Sequence, residues 1–340
     1  MHTILAKNLQ KVYSVQKKRP GLSGSIKDLF SPVQEEKIAV SDVSFVIDEG
    51  ELVGFIGPNG AGKTTTLKML SGLLYPTSGE VRVMGKDPWK REYDFLRQIS
   101  LVMGQKNQLW WDLPAIESFN LAKDIYDISD SVYKKTLNKL VDMLDIGDVL
   151  NVQVRKLSLG QRMKAELVAA LIHSPKILFL DEPTIGLDVV MQQSMRSFLK
   201  EYNQNSDGSI ILTSHYMDDV KELCRRVIII DQGSILYDGL LSEVITKFSK
   251  HKIIEVIKGD GETITHKVLR GQVAEKAATL LKDPSVVDIN IKEVEIEDVI
   301  RQVFAGKWKS ISQFLVSPSK KSSPIDWICW CGVSAKFLYF

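Results

Sequence analysis

One eight-residue turn constrains this 340-residue chain more than any other feature: Gly57-Pro58-Asn59-Gly60-Ala61-Gly62-Lys63-Thr64 fits G-x-x-x-x-G-K-[ST]. The run Glu51–Ile56 before it reads as a strand, and Lys63–Leu70 after it reads as a helix. Those flanks give the motif its meaning, because the turn must leave a strand and open a helix to work. Its glycines let the backbone curl until successive N–H groups face phosphate oxygens. The helix adds the positive end of its dipole. Lys63 is then placed to reach β- and γ-phosphates, the Thr64 hydroxyl to ligate Mg²⁺, and Thr65 to hold the α-phosphate.

A second feature has the complementary charge. Ile177-Leu178-Phe179-Leu180 is an apolar strand ending in Asp181-Glu182. In a parallel sheet ligands gather at the carboxyl ends of strands. Asp181 is expected to hold Mg²⁺, and Glu182 to orient or deprotonate an attacking water. Other continuous apolar runs, Ser100–Met103, Ser209–Thr213 and Arg226–Ile230, alternate with helical stretches. That pattern predicts an α/β chain with a mostly parallel sheet covered on both faces.

The rest of the chain is organised around this core. Thr3–Leu9 and Ala39–Ile47 read as strands, and the polar stretch Ser14 to Glu36 between them as a loop or insertion. From Pro114 to Leu150 the pattern is helical, with Leu137, Leu140, Val141 and Leu144 on one stripe. Ser158 to His173 reads as a further helix. After about Gly239 shorter strands and helices predict a small α+β appendage over 241–306, and 307–340 is a tail without clear period. Charged residues are 25% of the chain and nearly cancel to +2, which speaks against a nucleic-acid partner. The odd count of three cysteines suits a reducing cytosol rather than a disulfide scaffold. A secretory leader and an apolar run long enough to span a membrane are both missing from the reading.

The segment Leu157-Ser158-Leu159-Gly160-Gln161, followed by Arg162, resembles the LSGGQ signature of ATP-binding-cassette (ABC) ATPases, with Leu159 where glycine is commoner. The same residues form S-x-x-Q, a capping box opening a helix. The readings agree physically, since a capped helix N-terminus is an anion site. Further elements fall in the family's order. Gln105 matches the Q-loop glutamine that contacts Mg²⁺, Asp188 in Gly186-Leu187-Asp188 the D-loop, and His215 the switch histidine. Tyr13 resembles the aromatic that stacks on adenine, although the link after it is long; strand-end packing is its plainer reading.

The resemblance covers 1–240 and implies a P-loop cassette with an antiparallel β subdomain and a helical subdomain over about 105–160. It implies ATP and Mg²⁺ as cofactors, with Thr64, Gln105 and Asp181 around the metal and Glu182 and His215 in catalysis. It also implies an ATP-dependent homodimer, in which Ser158, Leu159, Gly160 and Gln161 reach the nucleotide of the other copy. The stretches 104–114 and 157–163 look like bacterial ABC-2 type export ATPases. That implies a separate membrane permease as partner, the cytoplasmic face of the membrane as location, and 105–150 as docking surface. Trp110 and Trp111 are either partner contacts or packing of the helical lobe. A soluble ABC ATPase acting away from membranes, a regulatory cassette and an importer share parts of the pattern. Cargo is not legible.

Overall fold

Alternation along the central strands decides the layering. In Ile177–Asp181, Ile177 and Phe179 join one buried cluster while Leu178 and Leu180 join another. Ile211 against Ile210 and Leu212 repeats this in Ser209–Thr213, as does Ile228 against Val227 and Ile229 in Arg226–Asp231. Successive side chains of a strand point to opposite faces, so both faces of this sheet are core. The structure is a computed structural model that describes residues 2–17, 33–104, 106–214 and 216–304. The expectation for the tail lies outside these residues, as does that for 18–32.

In chain order the strands are β1 (His2–Lys17), β2 (Val33–Asp48), β3 (Leu52–Ile56), β4 (Ser78–Val83), β5 (Ile99–Met103), β6 (Ile177–Asp181), β7 (Ser209–Thr213), β8 (Arg226–Asp231), β9 (Ser234–Leu240), β10 (His251–Lys258), β11 (Thr263–Leu269) and β12 (Val286–Glu293). The helices are α1 (Lys63–Leu70), α2 (Tyr93–Leu96), α3 (Ala115–Ile125), α4 (Asp130–Leu144), α5 (Leu159–Leu171), α6 (Val189–Gln204), α7 (Met217–Leu223), α8 (Leu241–Phe248), α9 (Val273–Leu280) and α10 (Ile296–Phe304). The six-stranded sheet runs β5-β6-β7-β3-β8-β9. Its first five strands are parallel and β9 is antiparallel to β8. An antiparallel sheet, β2-β1-β4, covers one face together with α1. Helices α5, α6, α7, α8 and α10 cover the other.

The polar stretch Ser14 to Glu36 is not all loop. Strand pairing continues through Ser14↔Glu36, Val15↔Glu35, Gln16↔Gln34 and Lys17↔Val33. Lys17 and Glu35 meet diagonally across the two strands at 3.4 Å, an opposite-charge pair of the kind that extends a hairpin beyond its apolar part. The helical stretch 114–150 is two helices, because Asp127 turns left-handed at φ 52° after α3 and Ser129 precedes α4 as its N-cap residue. On α4 the buried positions are Tyr133, Leu137, Leu140 and Leu144, with Val141 packed partly against them. Each such leucine contributes roughly 1.5–3 kcal/mol by leaving water. Tyr126, just past α3, stacks on His173, just past α5, at 3.8 Å between centroids. A ring nitrogen of His173 meets the Ile99 carbonyl of β5 at 3.2 Å, and burial pushes its pKa down to about 4. The neutral ring fastens the helical lobe to the sheet.

Beyond Leu240, β11-β10-β12 form a separate antiparallel sheet whose small core contains Ile254, Val256 and Ala277. Helices α8 and α10 instead bury Val244, Phe248, Ile296, Val299, Ile300 and Val303 in the larger core.

Candidate functional site

The strand order places β3 beside β7 and close to β6, so their carboxyl ends open on one edge of the sheet. After β3 the chain curls through the glycine turn into α1. Gly62 caps α1 at φ 108°, and a Cβ there would lie 2.6 Å from the Ala39 carbonyl oxygen. A Cβ on Gly57 would come within 2.2 Å of the Ile230 oxygen. Neither position can take a side chain without moving backbone, which explains the glycines. Lys63 is buried, and its Nζ donates to the carbonyls of Gly57 at 2.8 Å and Pro58 at 3.2 Å. The same nitrogen is 3.8 Å from Glu182 Oε1. Burial lowers the Lys63 pKa, and the Glu182 and Asp181 carboxylates pull against that shift.

At the end of β6, Asp181 joins a hydroxyl from α1 to one from β7. Thr64 Oγ1 donates to its Oδ2 at 2.7 Å, and Thr213 Oγ1 to its Oδ1 at 2.7 Å. Glu182 follows in a left-handed conformation, φ 55°. Its backbone N–H donates to Thr213, both to the carbonyl at 3.1 Å and to the hydroxyl at 3.0 Å. Tyr13, Asn59, Gly60, Ala61, Gly62, Lys63, Thr64, Thr65, Asp181 and Glu182 line one cleft of about 610 Å³, a size suited to a nucleotide. Tyr13 pairs with Lys37 across the hairpin, and Lys11 Nζ lies 5.4 Å from its ring centroid. Gly57 and Pro58 line a neighbouring cavity instead. Gln105 and His215 fall outside the described residues.

The donors suit a hard divalent ion. Among the described residues no group of three His, Cys, Asp or Glu side chains could enclose a metal. One carboxylate and one hydroxyl, Asp181 and Thr64, do meet in the cleft. That sparse oxygen set is how Mg²⁺ is held when phosphates and water complete its shell.

The glycine-containing segment before α5 lies elsewhere. Ser158 Oγ accepts from the Gln161 N–H at 3.2 Å, and Gln161 Oε1 accepts from the Ser158 N–H at 3.0 Å, closing the capping box. Leu159 is partly exposed, and a Cβ on Gly160 would strike the Met191 side chain at 2.6 Å. None of Ser158, Leu159, Gly160 or Gln161 lines the phosphate cleft of its own chain. Asp188 caps α6, its Oδ1 accepting from the Met191 N–H at 2.9 Å, and Val189 and Val190 beside it are exposed.

A second groove, about 490 Å³, lies between the sheet and the helical lobe. Trp110 on its rim is 54% exposed, and Trp111 nearby is 47% exposed under the Arg162 guanidinium, 5.8 Å from the ring. These rings do not pack inside the lobe. Glu166 is buried in the groove, and burial raises its pKa to about 7, opposed by the Gln108 N–H and by Arg162.

Sequence reasoning passed over several residues that shape the site. Thr213 orients Asp181, and Asp219 gathers Thr184, Ser214 and Arg196. Thr213 had a legible signal, a hydroxyl at a buried strand end; the Asp219 cluster had none, because its members come from separate segments.

Comparison with known proteins gives concordant matches. A family model described as "ABC transporter" matches residues 40–185. The ABC transporter ATP-binding protein NatA of Bacillus subtilis (strain 168) is 35% identical over 206 residues, 61% of this chain and 83% of that protein. The probable multidrug ABC transporter ATP-binding protein YbhF of Escherichia coli (strain K12) is 35% identical over 204 residues, and the match spans only 35% of its length. A solved ATP-binding subunit of an ABC transporter superposes with a TM-score of 0.60 at 25% identity, covering 72% of this chain and 93% of that one. A dimeric cassette in a post-hydrolysis state with ADP and Pi gives a TM-score of 0.58 at 25% identity, covering 70% and 98%.

Proposed function

The chain belongs to the ABC transporter ATP-binding family, and we propose that it hydrolyses Mg²⁺-ATP to drive export through a separate ABC-2 type membrane permease. The observation that carries the reading is the meeting of Thr64 with Asp181 at 2.7 Å, in a cleft shared with Lys63 and Glu182. In this reading the turn 57–62 and Lys63 bind the phosphates, Thr65 assists, and Tyr13 stacks on the base. Thr64, Asp181 and Gln105 hold Mg²⁺, which neutralises phosphate charge when bound. Glu182 orients the attacking water and His215 contacts the terminal phosphate.

Two copies would close head to tail, each supplying Ser158, Leu159, Gly160 and Gln161 to the other's nucleotide, with Asp188 crossing between them. The absence of these residues from their own cleft supports that arrangement. Closure is a population shift that ATP drives by binding the closed state more tightly. On the same reading residues 1–240 form the cassette, with 105–160 as its helical part, and 241–306 an appendage whose helices α8 and α10 pack into the larger core. On this reading the channel belongs to the partner and this chain lies at the cytoplasmic face; among the described residues no helix is long and apolar enough to cross a membrane.

Phosphate release by the purified chain, with its permease where needed, should stop on chelation of Mg²⁺. Release that persists in EDTA, or none with metal and permease present, contradicts the reading. The exposure of Trp110 on its rim supports the groove as the docking face. Trp110→Ala should leave soluble ATPase activity within about twofold, since surface changes are usually near neutral, yet uncouple it from transport. Equal loss of both, or a lowered Tm, would refute that role.

A further inference from the structure

The Glu182 turn carries strain that something must hold. Non-glycine residues rarely adopt a positive φ, and Glu182 sits at 55°. Such conformations persist where the surroundings over-determine them. On one side the Glu182 N–H is fixed to Thr213. On the other, Thr184, two residues on, donates its Oγ1 proton to Asp219 Oδ2 at 2.5 Å. The same oxygen accepts from Ser214 Oγ at 2.6 Å, directly after β7. Asp219 Oδ1 accepts from Arg196 Nη1 of α6 at 3.0 Å. Asp219 is 0% exposed, and Thr184, Ser214 and Arg196 are all buried. Arg196 is held in turn by Gln193 Oε1 at 2.7 Å and lies 3.2 Å from Glu222.

The geometry assigns Asp219 as the positioning residue that locks the Glu182 turn, through Thr184, to the end of β7, through Ser214. Among the described residues its hydrogen-bond partners Thr184, Ser214 and Arg196 do not line the cleft. A carboxylate suits this place because both hydroxyls need an acceptor and the buried guanidinium needs a counter-charge. With the lock open, the turn relaxes toward ordinary backbone and Glu182 leaves its place above the cleft. The phosphate loop, fixed by its own glycines and Lys63, is unaffected. Loss should therefore appear in kcat and not in ATP affinity, the mark of an interaction needed only in the transition state. The catalytic part of this inference rests on the role proposed for Glu182; the mechanical part does not.

Asp219→Asn tests the charge. Thr184→Val tests the lock while leaving the Asp219–Arg196 pair intact, and it covers the case in which the asparagine variant fails to fold. Both readouts use the full chain. In Thr184→Val, kcat should fall about tenfold with KM for ATP within about threefold, and Thr184→Ser should restore it. Amide hydrogen exchange across 182–187 should quicken, while exchange in the 57–64 turn stays as in the wild type. Unchanged exchange across 182–187, or kcat and KM altered together, overturns the assignment. A wild-type chain without turnover would defeat the proposed ATPase role, and the exchange measurement would still decide whether Asp219 holds the turn.

Discussion

Lys63→Ala is expected to lower kcat/KM for ATP by roughly 10²–10³-fold, the usual effect of removing one preorganised charged donor from a reacting phosphate or oxyanion, while the protein stays folded. Lys63 is buried at the mouth of the turn and donates to the Gly57 and Pro58 carbonyls. Phosphate oxygens would compete with those carbonyls for the ammonium. Without the ammonium the loop loses its cationic centre, and the Glu182 and Asp181 charges repel incoming phosphates more strongly. The sign of the pKa shift limits the damage to stability. Burial lowers the Lys63 pKa, so folding disfavours its charged form and removing it does not remove a strong stabilising term. Titration calorimetry with ATP, beside a thermal melt, checks both halves: affinity should collapse while Tm moves by only a few degrees. Retained affinity would exclude Lys63 from the phosphate site.

Glu182→Gln is expected to cut kcat by roughly 10²–10⁴-fold, the range that general-base catalysis supplies, with ATP affinity kept. Glutamine preserves the size of the side chain and the backbone N–H that bonds to Thr213. It removes the charge needed to draw a proton from water. Lys63, 3.8 Å from the carboxylate, also loses a competing partner, so phosphate binding should not weaken. Single-turnover phosphate release separates the outcomes. Slow release with normal binding supports the assignment, and release at wild-type rate would give the role to another group.

The phosphate turn was legible because its requirements are local: glycines where a Cβ would strike backbone, then a lysine and threonine opening a helix. The capping box at Ser158 and Gln161 was legible for the same reason. Helix α6 is not among the expected elements although Met195, Phe198 and Leu199 bury one face of it, because the polar run Gln192-Gln193-Ser194 interrupts its apolar stripe. The hairpin beyond Tyr13 reads as loop because its residues are polar on both strands, and only pairing across it reveals strand. The Asp219 cluster could not be read locally. Thr184, Arg196, Ser214 and Asp219 form a site only once β6, β7, α6 and α7 have packed. What the sequence could not supply was this meeting of distant, individually ordinary residues.

On the proposed function one chain holds half of each of two ATP sites, the cleft on one side and the Ser158–Gln161 helix end on the other. Sizing chromatography with light scattering on Glu182→Gln, with and without Mg²⁺-ATP, tests it most directly. The account predicts a monomer without nucleotide and a doubled mass with ATP, reverting when ADP replaces it. A variant that saturates with ATP yet keeps the mass of one chain, with the permease absent or present, would contradict the account.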